Sequence, residues 1–276
     1  MAALDAVASW DVAHAAAAVV AADGTLLDTF GDLDRRFDLA SITKVLSGWT
    51  AMVAVEEASV GLDQPAGQPG CTLRHLLAHA GGYPFDGAAP VAAPGRRRIY
   101  SNTGIELAAA TIAGATSIAF ADYLAEAVLE PLAMTSTTLD GSPARGATST
   151  AGDLAKLLAE LQQPRLIGAA SATAATTVQY PALAGIVPGV GRFDPCPWGL
   201  GIEIRGGKEP HWTGTTNSPR TFGHFGGAGT MMWVDPAVGC GLVALTDRPF
   251  DSWPEARTTW CALGDAVVAE RRGTGD

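Results

Sequence analysis

Ser41 and Lys44, in the run Ser41-Ile42-Thr43-Lys44, stand three residues apart at the head of a long apolar stretch. On a helix that spacing puts the hydroxyl and the amine on one face, within mutual reach. Lys44 sits among Ile42, Val45, Leu46 and Gly48, where burial disfavours the ammonium and lowers its pKa. An amine in that state can accept the Ser41 proton and turn the hydroxyl into a nucleophile. The plainer alternative is a serine that caps the helix, followed by a lysine whose stem lies along the surface.

Tyr100-Ser101-Asn102 follows Pro94-Gly95 and Arg96-Arg97-Arg98 and reads as a loop entering a helix near Thr103. Beside cations such as Lys44 or one of these arginines the Tyr100 phenolate is favoured, which suits moving a proton to and from a serine oxygen. Asn102 offers an amide donor and acceptor, useful for orienting Lys44 or a substrate carbonyl, or else for capping the helix. By themselves the three arginines read as a solvated turn. Gly223-His224-Phe225-Gly226-Gly227-Ala228-Gly229 leads into a strand, and glycines there permit close backbone approach by a ligand. A main-chain N–H in that run can hold an oxyanion; the plainer alternative is a flexible glycine turn with a satisfied histidine.

These groups need a scaffold, and the hydrophobic pattern supplies one. Residues 14–20 and 25–30 are short apolar runs joined through Asp23-Gly24, a hairpin signal. Ile42, Val45, Leu46, Trp49, Met52, Val53 and Val55 recur at helical spacing and predict a buried helix reaching Gly61. Further helices are expected at 72–79, at 105–112 before Gly114, at 120–129 before Pro131 and at 150–161, with an Ala/Thr/Pro-rich loop following to Phe193. Strands return at 199–204, 230–234 and 241–246, and 253–271 closes the chain as a helix. The fold class is α+β: one antiparallel sheet built from both termini, flanked by helices, with a mostly helical middle. We expect a single catalytic unit over residues 1–276, its α/β part roughly 1–60 and 192–276 and its helical insertion roughly 61–191.

With 276 residues, 47% apolar and 17% charged, the chain carries a sizeable core and is not disordered. Its net charge of −10 gives no global support for a nucleic-acid surface or an anionic membrane face, so a small-molecule partner is expected. The apolar stretch 13–22 follows Asp5 and Asp11, precedes the first basic residue Arg35, and is too short to span a bilayer. A cytoplasmic location is the resulting expectation. Cys71, Cys196, Cys240 and Cys261 are widely separated and read as reduced, half-buried thiols. Five scattered histidines without H-E-x-x-H imply no metal, and no phosphate-binding or dinucleotide-binding glycine loop implies a cofactor. There is no G-x-S-x-G elbow of the α/β-hydrolase kind.

The order S-x-x-K, then Y-S-N, then His-x-Gly on a strand resembles the serine β-lactamase and penicillin-binding-protein superfamily. Tyr100 makes it similar to the branch of class C β-lactamases, D-Ala-D-Ala carboxypeptidases and family VIII carboxylesterases. Further resemblances run along the chain: Phe37-Asp38-Leu39-Ala40 before the serine, Leu73 to Gly82, Pro131-Leu132-Ala133-Met134, Ser149 to Leu154 and Trp198-Gly199-Leu200-Gly201.

The resemblance implies a β-lactamase/transpeptidase-like fold and a covalent acyl-enzyme. Ser41 would be the nucleophile, Lys44 and Tyr100 the proton handlers, and the backbone N–H groups of Ser41 and Gly227 the oxyanion hole. Which of Lys44 and Tyr100 takes the first proton stays open at this level. Asn102, His224, Phe225 and Gly226 would bind substrate, and His79 would brace structure. The third motif departs from the K-T-G of most β-lactamases: His224 is largely neutral near pH 7, and Phe225 lacks a hydroxyl for a substrate carboxylate. Both changes favour a neutral ester or amide, so a carboxylesterase leads. A D-aminoacyl peptidase or weak β-lactamase, an acyltransferase, or a binding homologue without turnover are the alternatives. The class A deacylating E-x-x-L-N is missing, so deacylation would fall to Tyr100 or Lys44.

Overall fold

The computed structural model describes residues 2–273. A 3-10 turn at Ala3–Ser9 precedes the hairpin of β1 (Ala15–Ala21) and β2 (Leu26–Phe30), whose turn places Gly24 at φ +88°. Next come β3 (Arg36–Asp38), the buried helix α1 (Thr43–Glu56), α2 (Leu73–Leu77), α3 (Asn102–Thr116) and α4 (Phe120–Leu124), which runs on into a π-helical turn. After β4 (Thr138–Leu139) and β5 (Ala147–Thr150) follow α5 (Ala151–Gln162) and α6 (Ala169–Thr176). The chain ends with the hairpin β6 (Gly185–Val187) and β7 (Gly191–Phe193), then β8 (Glu203–Ile204), β9 (Phe222–Gly226), β10 (Thr230–Asp235), β11 (Cys240–Thr246) and α7 (Ala256–Gly273).

The main sheet has the order β2-β1-β11-β10-β9-β8, with every pairing antiparallel. Strands from both termini meet at its centre, where Ala15 pairs with Thr246 and Ala21 with Cys240. The unbroken apolar runs have a physical cause, since both faces are covered. Ala16, Ala18, Val20, Val243 and Leu245 point into a core shared with α1 and α5, whereas Ala17, Val19, Leu242 and Ala244 point into a second core with Trp260, Leu263 and Val267 of α7. Among the described residues, no single helix is long and apolar enough to cross a membrane.

Several elements depart from the sequence reading. α1 stops at Glu56 rather than Gly61, because Ala58 turns left-handed at φ +59°. α3 runs through the exposed Gly114 and ends only where Ser117 adopts φ +60°. The stretch expected as a loop up to Phe193 contains α6 and the β6–β7 hairpin; its alanines and three-residue strands are too small and short to give a period. The middle also holds a three-stranded sheet β3-β5-β4. Cys71, Cys196 and Cys240 are fully buried rather than half-buried, and all four thiols are free.

Candidate active site

Ser41 lies in a single 3-10 turn, Ala40–Ile42, that feeds straight into α1, so Lys44 falls in the first turn of that helix. Ala40 takes φ +45°, a left-handed conformation that costs an L-residue about 1–2 kcal/mol. The Ser41 hydroxyl caps nothing. Its Oγ is 3.1 Å from Lys44 Nζ and 2.6 Å from the Tyr100 hydroxyl. Tyr100 is positioned by the segment before α3, where Ser101, and not Asn102, is the N-cap, accepting from the Gly104 N–H.

Lys44 is wholly buried. Besides Ser41 it donates to Asn102 Oδ1 at 2.8 Å and to the Ala144 carbonyl at 2.9 Å. Burial, aided by the Arg145 charge, pushes its pKa down to about 7. In the neutral amine two N–H bonds satisfy Asn102 and Ala144, leaving the lone pair for the Ser41 proton. Asn102 is also committed on its other side, donating from Nδ2 to Asp86 at 3.1 Å. It is not among the residues that line the cavity at Ser41, and its amide oxygen holds Lys44.

Tyr100 differs from the sequence expectation. Burial raises its pKa above the usual value, and the cation expected to favour a phenolate is itself neutral in about half of the molecules at pH 7. The arginines also divide: Arg96 and Arg97 are exposed, whereas Arg98 is buried. Its guanidinium donates to the carbonyls of Cys196, Ala78, Gln179 and Tyr180. Arg98 is thus a strut that ties the wall of the site together, not part of a solvated turn.

The glycine run is largely strand: β9 carries His224 and pairs with β10, and the hairpin turns at Gly227–Gly229. A Cβ on Gly226 would lie 2.1 Å from the Leu39 carbonyl oxygen. Gly226 therefore lets β9 abut the segment that carries Ser41, and it does not reach the cavity. His224 Nδ1 is 2.6 Å from the Phe225 carbonyl, which fixes the proton on Nδ1 and leaves Nε2 as an acceptor, 3.3 Å from the Tyr100 hydroxyl. Burial first, and Lys44 second, lower the His224 pKa to about 3.

Ser41, Tyr100, His224, Phe225 and Gly227 converge on one cavity of about 180 Å³, closed by Phe85, Val187, Trp198 and Phe250. Sequence reasoning missed these last four as site residues, and also the Ala144 carbonyl and Asp86. Trp198 is the hub of the aromatic wall, with ring centroids 4.6 Å from His79, 5.6 Å from Tyr100 and 5.4 Å from His224. Behind it Glu203, held ionised by Lys208 and His211 although burial opposes this, bonds Lys208 Nζ at 2.8 Å and Trp212 Nε1 at 2.8 Å. His79 packs 4.7 Å from Tyr100 and accepts from the Ser101 N–H, a bracing role.

The family pattern of beta-lactamases matches residues 6–260. The crystal structure of a beta-lactamase from Mycobacterium bovis superposes with a TM-score of 0.95 at 49% identity, covering 98% of this chain and 99% of that one. Unliganded simvastatin synthase from Aspergillus terreus gives 0.79 at 19% identity, covering 98% and 97%. EstCE1, a hydrolase with promiscuous acyltransferase activity, gives 0.75 at 16% identity over 96% of each chain. At these two identities the likeness shows the fold alone. No curated protein matches. A family pattern that spans Ser41, Tyr100 and the His224 strand, with a solved relative half identical from end to end, establishes that this chain belongs to the beta-lactamase family of serine hydrolases.

Proposed function

We propose that this serine hydrolase is a carboxylesterase for small neutral esters, working through an acyl-enzyme on Ser41. One observation carries the reading: the Ser41 hydroxyl lies within hydrogen-bond reach of both a buried amine and a buried phenol at the floor of an apolar cavity. Lys44, neutral in about half of the molecules at pH 7, takes the Ser41 proton as Oγ attacks the ester carbonyl. The backbone N–H groups of Ser41 and Gly227 hold the oxyanion. Tyr100, kept as a neutral phenol by burial, gives its proton to the departing alkoxide and regains one from Lys44 through the site. Water then enters, Tyr100 or Lys44 removes its proton, and attack on the acyl carbon releases the acid and restores Ser41. Asn102 and Ala144 hold Lys44 in line throughout.

His224 and Phe225 support a neutral substrate. A histidine held neutral far below pH 7 gives a carboxylate beside the reacting carbonyl no cation, and Phe225 gives it no hydroxyl. Free, buried thiols suit a reducing compartment, in keeping with cytoplasmic work. A second reading, β-lactam hydrolysis, is favoured by the name of the half-identical relative. Multiple-turnover hydrolysis of p-nitrophenyl acetate beside a chromogenic cephalosporin, for wild type and Ser41→Ala, tests both. Ester turnover lost in Ser41→Ala, with the cephalosporin nearly untouched, supports the esterase; efficient cephalosporin cleavage moves the second reading to first place.

A further inference from the structure

Next to the Ser41 cavity lies a larger one of about 460 Å³, and the two share Phe85, Tyr100 and Pro188 as a common wall. Its walls are pinned by the bridge between Arg98 and Gly185, with the Arg98 N–H on the Ala184 carbonyl at 2.9 Å. Two features set it apart. Phe85, Val91 and Ile186, exposed by 48%, 58% and 57%, account for three of the six exposed large apolar side chains among the described residues, and all three line this one cavity. Arg97 and Arg192 also line it; both are exposed, and neither side chain has a hydrogen bond or ion pair among the described residues. No residue lining it is acidic, in a chain whose net charge is −10.

A cavity lined by exposed apolar side chains and by two arginines without side-chain partners suits an amphipathic arm that carries an anion. The position of Tyr100 says which arm. Its hydroxyl faces Ser41 and, on the esterase reading, gives its proton to the departing oxygen; because Tyr100 also lines the larger cavity, the alcohol side is the part of the ester assigned to it. Resting on the esterase reading, we infer that the substrate is an ester of a small acyl group with an alcohol whose apolar chain ends in a carboxylate or phosphate, seated on Arg97 and Arg192.

The test compares 6-acetoxyhexanoate with hexyl acetate. Both pass through the same acetyl-enzyme, so their kcat/KM ratio reads only the alcohol side. We expect the wild type to favour the anionic ester by about 5- to 30-fold at low salt, two exposed ion pairs being individually modest, and about 0.5 M salt to erase most of that preference. In Arg97→Gln/Arg192→Gln the ratio falls to about one, while p-nitrophenyl acetate, which has no anion to place there, reports that the fold and the Ser41 site survive. Equal turnover of the two esters by the wild type, or a preference unchanged in the double variant, overturns the inference and leaves the esterase reading intact. If no ester at all is turned over, the esterase reading fails instead. The cavity is then judged by saturation-transfer NMR with 6-hydroxyhexanoate against 1-hexanol: arginine-dependent binding of the anion supports it, and equal binding overturns it. The ester with a terminal phosphate in place of the carboxylate, run in the same assay, shows which anion the arginines favour.

Discussion

Exchanging the amide and carboxylate beside Lys44, as Asn102→Asp with Asp86→Asn, keeps the chain's net charge and its donor–acceptor pairing but moves a negative charge against Nζ. Asn102 Oδ1 is 2.8 Å from Lys44 Nζ, and its Nδ2 is 3.1 Å from Asp86. Unit charges 2.8 Å apart at an effective dielectric constant near 20 attract by about 6 kcal/mol, a ceiling of roughly four pK units. Close opposite charges in proteins shift pKa values by about 1–3 units, so the Lys44 pKa should rise from about 7 to about 8–10. The amine must be neutral to take the Ser41 proton, so activity rises with pH through this pKa. For the wild type, kcat/KM on p-nitrophenyl acetate should fall about tenfold for each unit below pH 7 and level off above pH 8. In the exchanged variant it should be about 5- to 500-fold lower at pH 7 and within about twofold of the wild-type plateau at pH 10. The assay is the pH–rate profile of both proteins, with circular dichroism melts as a check on folding. An acid limb that stays near 7, or a loss equal at every pH, refutes the role of the Lys44 amine as base.

Tyr100→Phe removes the hydroxyl from both Ser41 and His224 and should lower kcat about 10²- to 10⁴-fold with little change in KM for a neutral ester, measured by steady-state kinetics. Lys208→Met strands the buried Glu203 carboxylate and should cost about 3–5 kcal/mol in urea unfolding, whereas Glu203→Gln/Lys208→Met should recover much of it; equal losses in both would mean the ion pair is not the cause. Gly48→Ala places a Cβ 2.4 Å from the Leu200 carbonyl oxygen, where α1 meets the segment carrying Trp198, and should destabilise the fold by about 1–3 kcal/mol by the same measurement.

What could be read from the sequence follows the range over which each interaction acts. Ser41 and Lys44 are three residues apart, so local helix geometry alone brings them within reach, and the fold bears this out. The long strands and buried helices have strong periods and were legible; β3, β4, β6 and β7, of two or three residues, carry no period at all. Tyr100 and His224 come to Ser41 from remote parts of the chain, and only the ordered resemblance of motifs joined them. The acceptors that orient Lys44 and Arg98 include backbone carbonyls, at Ala144 and at Ala78, Gln179, Tyr180 and Cys196, which no residue type announces. For the same reason Arg98 looked solvated. The phenolate expected at Tyr100 failed on magnitude: burial penalises the phenolate directly, and it also lowers the Lys44 pKa to about 7, so the neighbouring cation is charged only part of the time.

The same desolvation bears on which substrates the fold can choose. No lysine or arginine lines the Ser41 cavity; of the basic groups nearest it, Lys44 titrates near 7, His224 near 3, and Arg98 is tied up by carbonyls. At pH 8 the reacting centre thus has no fixed cation, and an anion next to the scissile carbonyl would be desolvated there without a partner, a penalty of several kcal/mol per ion. Arg97 and Arg192, both exposed, line the neighbouring cavity, which shares Phe85 and Tyr100 with this one. On the proposed reading, charge recognition lies in the neighbouring cavity and not at the reacting centre. If the proposal holds, a carboxylate adjacent to the reacting bond is rejected and one on the leaving alcohol is accepted, so selectivity should depend on where the anion sits, not on whether the substrate carries one.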